Sequence, residues 1–537
     1  MSARDDLKRS AQPVSLEAPG RIDRRYFFRG GAAMLSGLAA AGLLQPADSG
    51  RAFAAEPQQY AAASETLSAQ TQRVLRWAGT TNDWVRPRGA VDHNVVIVGG
   101  GQTGLSIAYG LRRKGIGKVQ IIDQAEPGKA GIWRDVARMH QLRTPKMLIG
   151  PEQGNAGLGF RAWFETNNSP SAFDGLDRIP RTAWADYLTW YEQITASETR
   201  YRTRLVDIEP TGDVLRLHLV SDGKPRTETT RKLVFANGYN GAGGASVPGF
   251  LRALPPEKWM HTEKPINFEP MKGKVIGVLG AGASAFDAAG VALERGAAEV
   301  HLFSRRAYID YTNAPPTAPA RPPIDRGFPN MIEWSYVLPD AVRWRSQLAR
   351  ERSVATVPFD SMNRAVGHDN FRLHVESPWD SAAMSGGKVA VKSRGATYNF
   401  DYVIAGTGYQ IDLAAQPELA GIHQSIALWR DRYQPEVGES DKVSGAYPYL
   451  GAGFQFLARE EKDSALLRNI HCANLAASAS FNILVGDVPS MVLQPQLVLA
   501  IAQDFMAESV DLTVNERSLD TPLMPPDPTP YQRALKG

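Results

Sequence analysis

Cysteine is almost absent from this sequence. Cys472 stands alone, so no intramolecular disulfide, no Cys-x-x-Cys redox pair and no thiolate metal site can form. The nine histidines show no ligand spacing such as H-E-x-x-H, which leaves metal chemistry without a signal. Long apolar runs are missing too. The stretch Gly30 to Leu44 has 15 residues rich in Gly and Ala, against the roughly 20 strongly apolar residues a spanning helix needs. Charge of one sign is also scarce: the formal charge is +4 over 537 residues, and the first 54 carry +3 of it. The remaining 483 residues are left with +1, which gives no electrostatic reason to expect nucleic acid or an anionic membrane as partner. That length suits two or three domains, held by a core and by any tightly bound ligand rather than by disulfides.

What is present begins with RIDRRYFFRGG at residues 21–31. Arg24 and Arg25 precede the short apolar run, and Ala52-Phe53-Ala54 supplies a small-x-small cleavage site before Ala55. Basic region, apolar region and cleavage site in that order read as an export signal over 1–54, with an uncleaved tether as the alternative. The arginine pair resembles the twin-arginine type, whose machinery carries proteins across the membrane already folded. No stable membrane span is expected after cleavage. Residues 55–90 read as a helix (SETLSAQTQRVLRWAG) and a linker.

The chemistry starts at Asn94, in NVVIVGGGQTGLSIAYGLRRKG. Val95 to Val98 reads as a buried parallel strand, Gly99, Gly101 and Gly104 follow at GxGxxG spacing, and Leu105 to Arg113 continues with helical periodicity. The first glycine makes the turn, the second lets backbone approach a pyrophosphate, and the third lets helix and strand pack closely. A second strand, Lys118 to Ile122, ends at Asp123, 22 residues past Gly101, where a carboxylate can hold ribose hydroxyls. A lone GxGxxG is weak; strand, glycines, helix and terminal acid together are not.

The arrangement recurs at 274–306, KVIGVLGAGASAFDAAGVALERGAAEVHLFSRR. Gly280 and Gly282 form the turn and Ala285 stands where a third glycine would be. The next strand ends not in an acid but in Ser304, Arg305 and Arg306, which suits the 2′-phosphate of NADPH, although a solvated arginine pair reads the same way. Strand-like pieces between and after these motifs (Leu215, Leu217 and Leu219 in alternation, RKLVFAN at 231–237, FRLHVE, KVAVKS, YNFDYVIAGTGYQID) imply an α/β fold. It has two dinucleotide-binding, Rossmann-like domains, the second, with the NADPH-type turn, inserted into the first. The expected boundaries are 91–265, 266–395 with a substrate-side loop at 308–345, and 396–537 for the completion and C-terminal tail.

Over roughly residues 92–500 the chain resembles the flavin-dependent monooxygenases with one FAD site and one NADPH site: the flavin-containing and N-hydroxylating groups, with Baeyer–Villiger enzymes as relatives. Beside the two turns, Gly131-Ile132-Trp133 resembles the family's G-x-W, and Thr407-Gly408-Tyr409 its A-T-G-Y element. The resemblance implies that the first domain is the FAD domain, with FAD contacts at Gly99, Gly101, Gln102, Thr103, Gly104, Asp123, Gln124 and Trp133. It implies NADPH contacts at Gly280, Gly282, Ala283, Ser284, Arg305 and Arg306, with Gly408 and Asp487 also beside cofactor. By resemblance, NADPH reduces the flavin, O2 adds to it, and the hydroperoxide delivers one oxygen to a small N- or S-nucleophile, or to a carbonyl.

Three departures bear on subclass. The F-x-G-x-x-x-H linker keeps only His261 and Thr262, and Ala405-Gly406-Thr407-Gly408-Tyr409 carries an inserted glycine. In Leu142-Arg143-Thr144-Pro145-Lys146, Arg143 stands where many relatives place an asparagine beside the flavin. An arginine is always charged and cannot accept a hydrogen bond, so Arg143 is the candidate catalytic residue, stabilising an anion or binding an acidic substrate; a purely structural ion pair is the other reading. The aromatics of 308–345 fit either a binding loop over the flavin or a local core. A flavoprotein loaded with FAD in the cytoplasm has reason to fold before export, but NADPH is not expected outside. That leaves open another reductant, a retained nicotinamide, work before export, an exported oxidase or dehydrogenase fed by its own substrate, or a non-catalytic flavoprotein.

Overall fold

Two strand–turn–helix units set the architecture of the computed structural model, which describes residues 57–77, 79, 81–312, 332–353, 356–516 and 527–535. The export signal at 1–54 and residues 313–331 of the long connection lie outside the described residues. In the first unit Val95, Val96 and Ile97 are fully buried in the strand His93–Val98, the continuous apolar run of a strand covered on both faces. It pairs in parallel with Val119–Ile122 on one side and the second half of Lys224–Phe235 on the other. Thr199–Arg200 and Ile470–Cys472 extend the parallel part. Thr203–Thr211 and Val214–Ser221 complete a seven-stranded sheet as an antiparallel meander, with Leu215, Leu217 and Leu219 buried as their alternation predicts.

The second sheet is parallel throughout. Its five strands run in the order Phe371–His374, Glu299–Phe303, Val275–Leu279, Tyr402–Ala405, Trp259–His261. The insertion of one dinucleotide-binding domain into another is therefore present, but its edges move. Trp259–His261 and Tyr402–Ala405, assigned from sequence to the two parts of the first domain, belong to the second sheet. A short apolar strand carries no mark of which sheet it joins; the pairing decides. The crossings fall at about 236–258 and 406–412 instead of at 265 and 395. They run side by side: the N–H of Ser246 donates to Gly408 (2.9 Å), that of Gln410 to Gly244 (3.0 Å) and that of Asp412 to Ala242 (2.8 Å).

One helix ties the two units together, and another closes the first unit on itself. Asp340–Arg352 leaves the second unit and docks on the completion of the first, with Trp344 against Trp429 and Tyr433 (ring centroids 6.2 and 5.6 Å). Arg343 donates to the carbonyl of Ser480 (2.9 Å) and Arg350 to that of Asn482 (3.1 Å). In its described part, then, the 308–345 connection supplies a local core, with Tyr336 on Phe481 (5.2 Å). The helix Gln494–Glu516 packs on Gln102–Arg113 and is clamped by Lys232, a buried ammonium that pairs with Asp504 (2.5 Å) and Asn469 (2.9 Å). Burial of a charge is tolerated only with such partners. No helix among the described residues is long and apolar enough to cross a membrane.

Candidate active site

At the first turn Gly99 has φ +114°, and a Cβ added to it would lie 2.4 Å from the carbonyl oxygen of Ala236. One added to Gly104 would lie 1.9 Å from that of Gly99. These two glycines are packing requirements. Gly101 differs: the nearest atom to its added Cβ is Gly131 Cα at 3.4 Å, so bare backbone faces bare backbone across an approach a pyrophosphate can use. The helix Gln102–Arg113 starts at Gly101 with no side-chain cap. Its orphan N–H groups and positive end suit phosphate, so FAD fits this turn.

Asp123 is tied to the turn: the N–H of Gly100 donates to Oδ2 and that of Ala125 to Oδ1, both at 2.7 Å. Each oxygen keeps a lone pair for a ribose hydroxyl, with exposed Gln124 beside it. The side chain of Gln102 is engaged within the protein. Its Nε2 donates to the carbonyl of Gly486 (2.9 Å) and its Oε1 accepts from the indole N–H of Trp184 (3.1 Å), which leaves only its backbone for cofactor. The side chain instead couples the turn to Gly486 and Asp487. Trp133 meets Trp184 edge-on at 6.4 Å, and Thr103 is buried in the first helical turn.

The second turn solves the same problem with different residues. Gly280 (φ +106°) would place a Cβ 2.3 Å from the carbonyl oxygen of Gly406, and a Cβ on Gly406 would lie 2.5 Å from that of Ala285. The glycine inserted in Ala405-Gly406-Thr407 thus makes room for the alanine that replaces the third glycine. The helix Ala283–Glu294 again starts at a glycine, Gly282, without a side-chain cap. Ser284 is exposed in its first turn, and neither its hydroxyl nor the exposed Arg305 has a hydrogen bond or ion pair among the described residues. Arg306 is engaged: it donates to the carbonyl of Ser353 (3.1 Å), and its N–H donates to Ser304 Oγ (3.1 Å). Of the arginine pair, Arg305 is the one available to a 2′-phosphate.

Between the turns lies a polar seam. Arg143 Nη2 stands 3.5 Å from Asp287 Oδ2 on the helix of the second turn; the guanidinium is 42% exposed and the carboxylate 3%. Burial raises the pKa of Asp287, against the pull of Arg143 and Ser361. The pKa of half-buried Asp487 is also raised by desolvation, opposed by the hydroxyl of Tyr239, which donates to its Oδ1 (2.6 Å), and by Arg143. Asp487 is thus held by Tyr239. Tyr239 meets Tyr409 edge-on at 5.3 Å, next to Gly408, whose φ of +77° needs glycine. Burial pushes His261 down to about 4, helped by Lys264 and Arg138, so the imidazole stays neutral through the physiological range. Its Nε2 faces the hydroxyl of Thr407 at 3.2 Å. Asp287, Tyr239 and Arg138 were not singled out from sequence. Only Asp287 carried a signal there, a lone acid among Ala285, Phe286, Ala288 and Ala289. Among the described residues no group of three His, Cys, Asp or Glu is placed to hold a metal.

Comparison with known proteins agrees with this geometry. A family model described as FAD-NAD(P)-binding matches residues 96–240, and one described as L-lysine 6-monooxygenase/L-ornithine 5-monooxygenase matches residues 173–345. The chain is 36% identical over 433 residues to an FAD-dependent urate hydroxylase of Xanthomonas campestris pv. campestris, covering 79% of this chain and 89% of that protein. Among solved structures it is similar to ornithine hydroxylase from Pseudomonas aeruginosa (TM-score 0.59, 18% identity, covering 76% of this chain and 99% of that one). It is also similar to L-lysine 6-monooxygenase from Pseudomonas syringae (TM-score 0.56, 19% identity, covering 77% and 99%). At such identities these structures speak for the fold alone.

Proposed function

We propose, because this chain belongs to the flavin-dependent monooxygenase family that includes the FAD-dependent urate hydroxylase, that it uses NADPH and O2 to hydroxylate a small, anionic, nitrogen-rich ring of the urate type. The balance is substrate, O2, NADPH and a proton in; hydroxylated substrate, water and NADP+ out. FAD, when bound, takes the reducing equivalents from NADPH and passes them to O2. The chain's own residues bind and orient. Gly101 and the uncapped helix start hold the pyrophosphate, Asp123 the ribose, and Ser284 and Arg305 the nicotinamide dinucleotide.

The observation that carries the substrate reading is Arg143, a permanent, half-exposed charge in the seam between the two nucleotide turns, with one long ion pair. Urate is an anion at neutral pH and presents planar oxygen and nitrogen edges that a guanidinium fork matches. In the purified holoenzyme, urate is expected to perturb the oxidised flavin spectrum saturably and to accelerate NADPH oxidation. Arg143→Ala is expected to weaken that binding about tenfold, the worth of one charge-assisted hydrogen bond. Urate that neither perturbs the spectrum nor stimulates turnover would overturn the reading. The lysine/ornithine monooxygenase match over 173–345 supports a second reading, N-oxygenation of a small amine. Arg143 beside an alkylammonium opposes it by like charge, and the same spectral titration with ornithine decides between them.

Export belongs to the same proposal. The signal at 1–54 fits a protein that acquires FAD and folds in the cytoplasm and then crosses through twin-arginine machinery to the periplasm or beyond. Changing both Arg24 and Arg25 to lysine should leave full-length precursor in the cytoplasmic fraction. Undiminished export of that variant would count against the signal type.

A further inference from the structure

Asp287 has no part in either nucleotide turn, yet it interrupts the apolar first half of the helix Ala283–Glu294 and points into the seam. Its Oδ1 is buried without a hydrogen-bond partner among the described residues, its Oδ2 makes the long contact to Arg143, and the hydroxyl of Ser361 also acts on the carboxylate. The charged groups that face it come from both units: Arg143 and Arg138 from the first, Arg364 and Asp360 from the helix Phe359–Val366 of the second. Arg143 in turn acts on a second, half-buried carboxylate, Asp487, which belongs to the completion of the first unit and is held by Tyr239. The guanidinium therefore acts on two acids, a buried one from the second unit and a half-buried one from the first. A buried carboxylate attracts a nearby cation strongly because water screens it little.

We propose that Asp287 is the positioning residue for Arg143: it draws the guanidinium toward the second unit, off Asp487, and so keeps it in the seam where the substrate anion docks. The inference rests on the reading of Arg143 as the anion-binding group. Without Asp287 the guanidinium is handed to Asp487 and turns its donors away from the substrate. Because Asp287 comes from the nucleotide-binding unit and Arg143 from the flavin-binding unit, the position of the substrate anchor depends on the two units being seated together.

Two measurements test this on flavin-loaded protein. The first is the crystal structure of the Asp287→Asn variant beside that of the wild type. Asparagine keeps the volume and can still hydrogen-bond to Ser361, so the variant is expected to fold, and Arg143 is expected to move onto Asp487. A guanidinium left in place overturns the proposal. The second is urate affinity, read from the oxidised flavin spectrum without turnover, across Asp287→Asn, Arg143→Ala and the double variant. Asp287→Asn should weaken urate about 5- to 10-fold, and the double variant should bind no worse than Arg143→Ala alone, as residues acting through one another do. Additive losses, or tighter binding in Asp287→Asn, also overturn it. If the wild type or Arg143→Ala shows that Arg143 does not bind urate, the substrate reading fails instead, and the pair of structures still decides whether Asp287 positions Arg143.

Discussion

A Gly104→Ala protein is expected to be recovered without FAD, retaining less than about a tenth of the wild-type flavin. Overpacking by a single methyl costs about 1–3 kcal/mol where neighbouring side chains can yield, and each 1.4 kcal/mol is about tenfold in affinity. Here the obstacle is the backbone oxygen of Gly99, 1.9 Å from the new carbon, with Ile97 Cγ2 at 3.4 Å behind it. Neither atom can move without shifting the strand His93–Val98 or the turn; the strand is paired on two sides, and the turn is held by the N–H of Gly99 donating to the carbonyl of Ile122 (2.8 Å). The helix must retreat, taking with it the N–H groups that receive the pyrophosphate. Gly101→Ala is the control: its Cβ meets nothing closer than 3.4 Å, so the protein itself has room for it and any loss of flavin reports the approach of the ligand. The check is the ratio of flavin to protein absorbance after gel filtration. A full flavin complement in Gly104→Ala would show that the helix can slide, and would remove the packing role assigned to the third glycine.

Much of this site was legible because it depends on local chemistry. A strand that ends in glycines before a helix, followed at a fixed distance by a strand ending in Asp123 or Arg305, is dictated within about 30 residues, and both turns stand where that pattern puts them. What was not legible depends on contacts between residues far apart in the chain. Tyr402–Ala405 reads as any buried strand, and only its pairing with Val275–Leu279 assigns it to the second sheet. Gln102 looks like a ligand contact from its place in the motif, but Gly486, 384 positions away, takes its amide. The inserted Gly406 looked like a departure from the family pattern. In three dimensions it and Ala285 form one exchange of small residues across a helix–strand contact. Asp287 shows the same limit from the other side: an acid in an apolar helix announces that something lies opposite, and the sequence does not say what.

The last large effect expected is on the choice of nicotinamide. Arg305 and Arg306 are adjacent in sequence and indistinguishable there, yet the structure separates them. Arg306 donates to Ser353 and has its backbone N–H held by Ser304, so its guanidinium serves the docking of the chain after the helix Asp340–Arg352. Arg305, at the end of the strand Glu299–Phe303, is exposed and has no partner among the described residues. A 2′-phosphate at that strand end would be met by Arg305 through charge-assisted hydrogen bonds worth about 1.5–3 kcal/mol, or about 10- to 150-fold in affinity. Arg305→Ala should therefore raise the KM for NADPH by at least about tenfold and leave that for NADH within about twofold, since the lost contacts are absent from NADH. The rate of flavin reduction at saturating NADPH should be nearly unchanged, because a group binding the remote phosphate contributes equally to ground and transition states. Arg306→Ala should instead lower thermal stability with little change in the NADPH-to-NADH ratio. Anaerobic reduction of the flavin, followed by bleaching of its visible band against each dinucleotide, separates the two. An unchanged preference in Arg305→Ala would mean that the 2′-phosphate is read elsewhere, and Arg305 would be a solvated charge at a strand end.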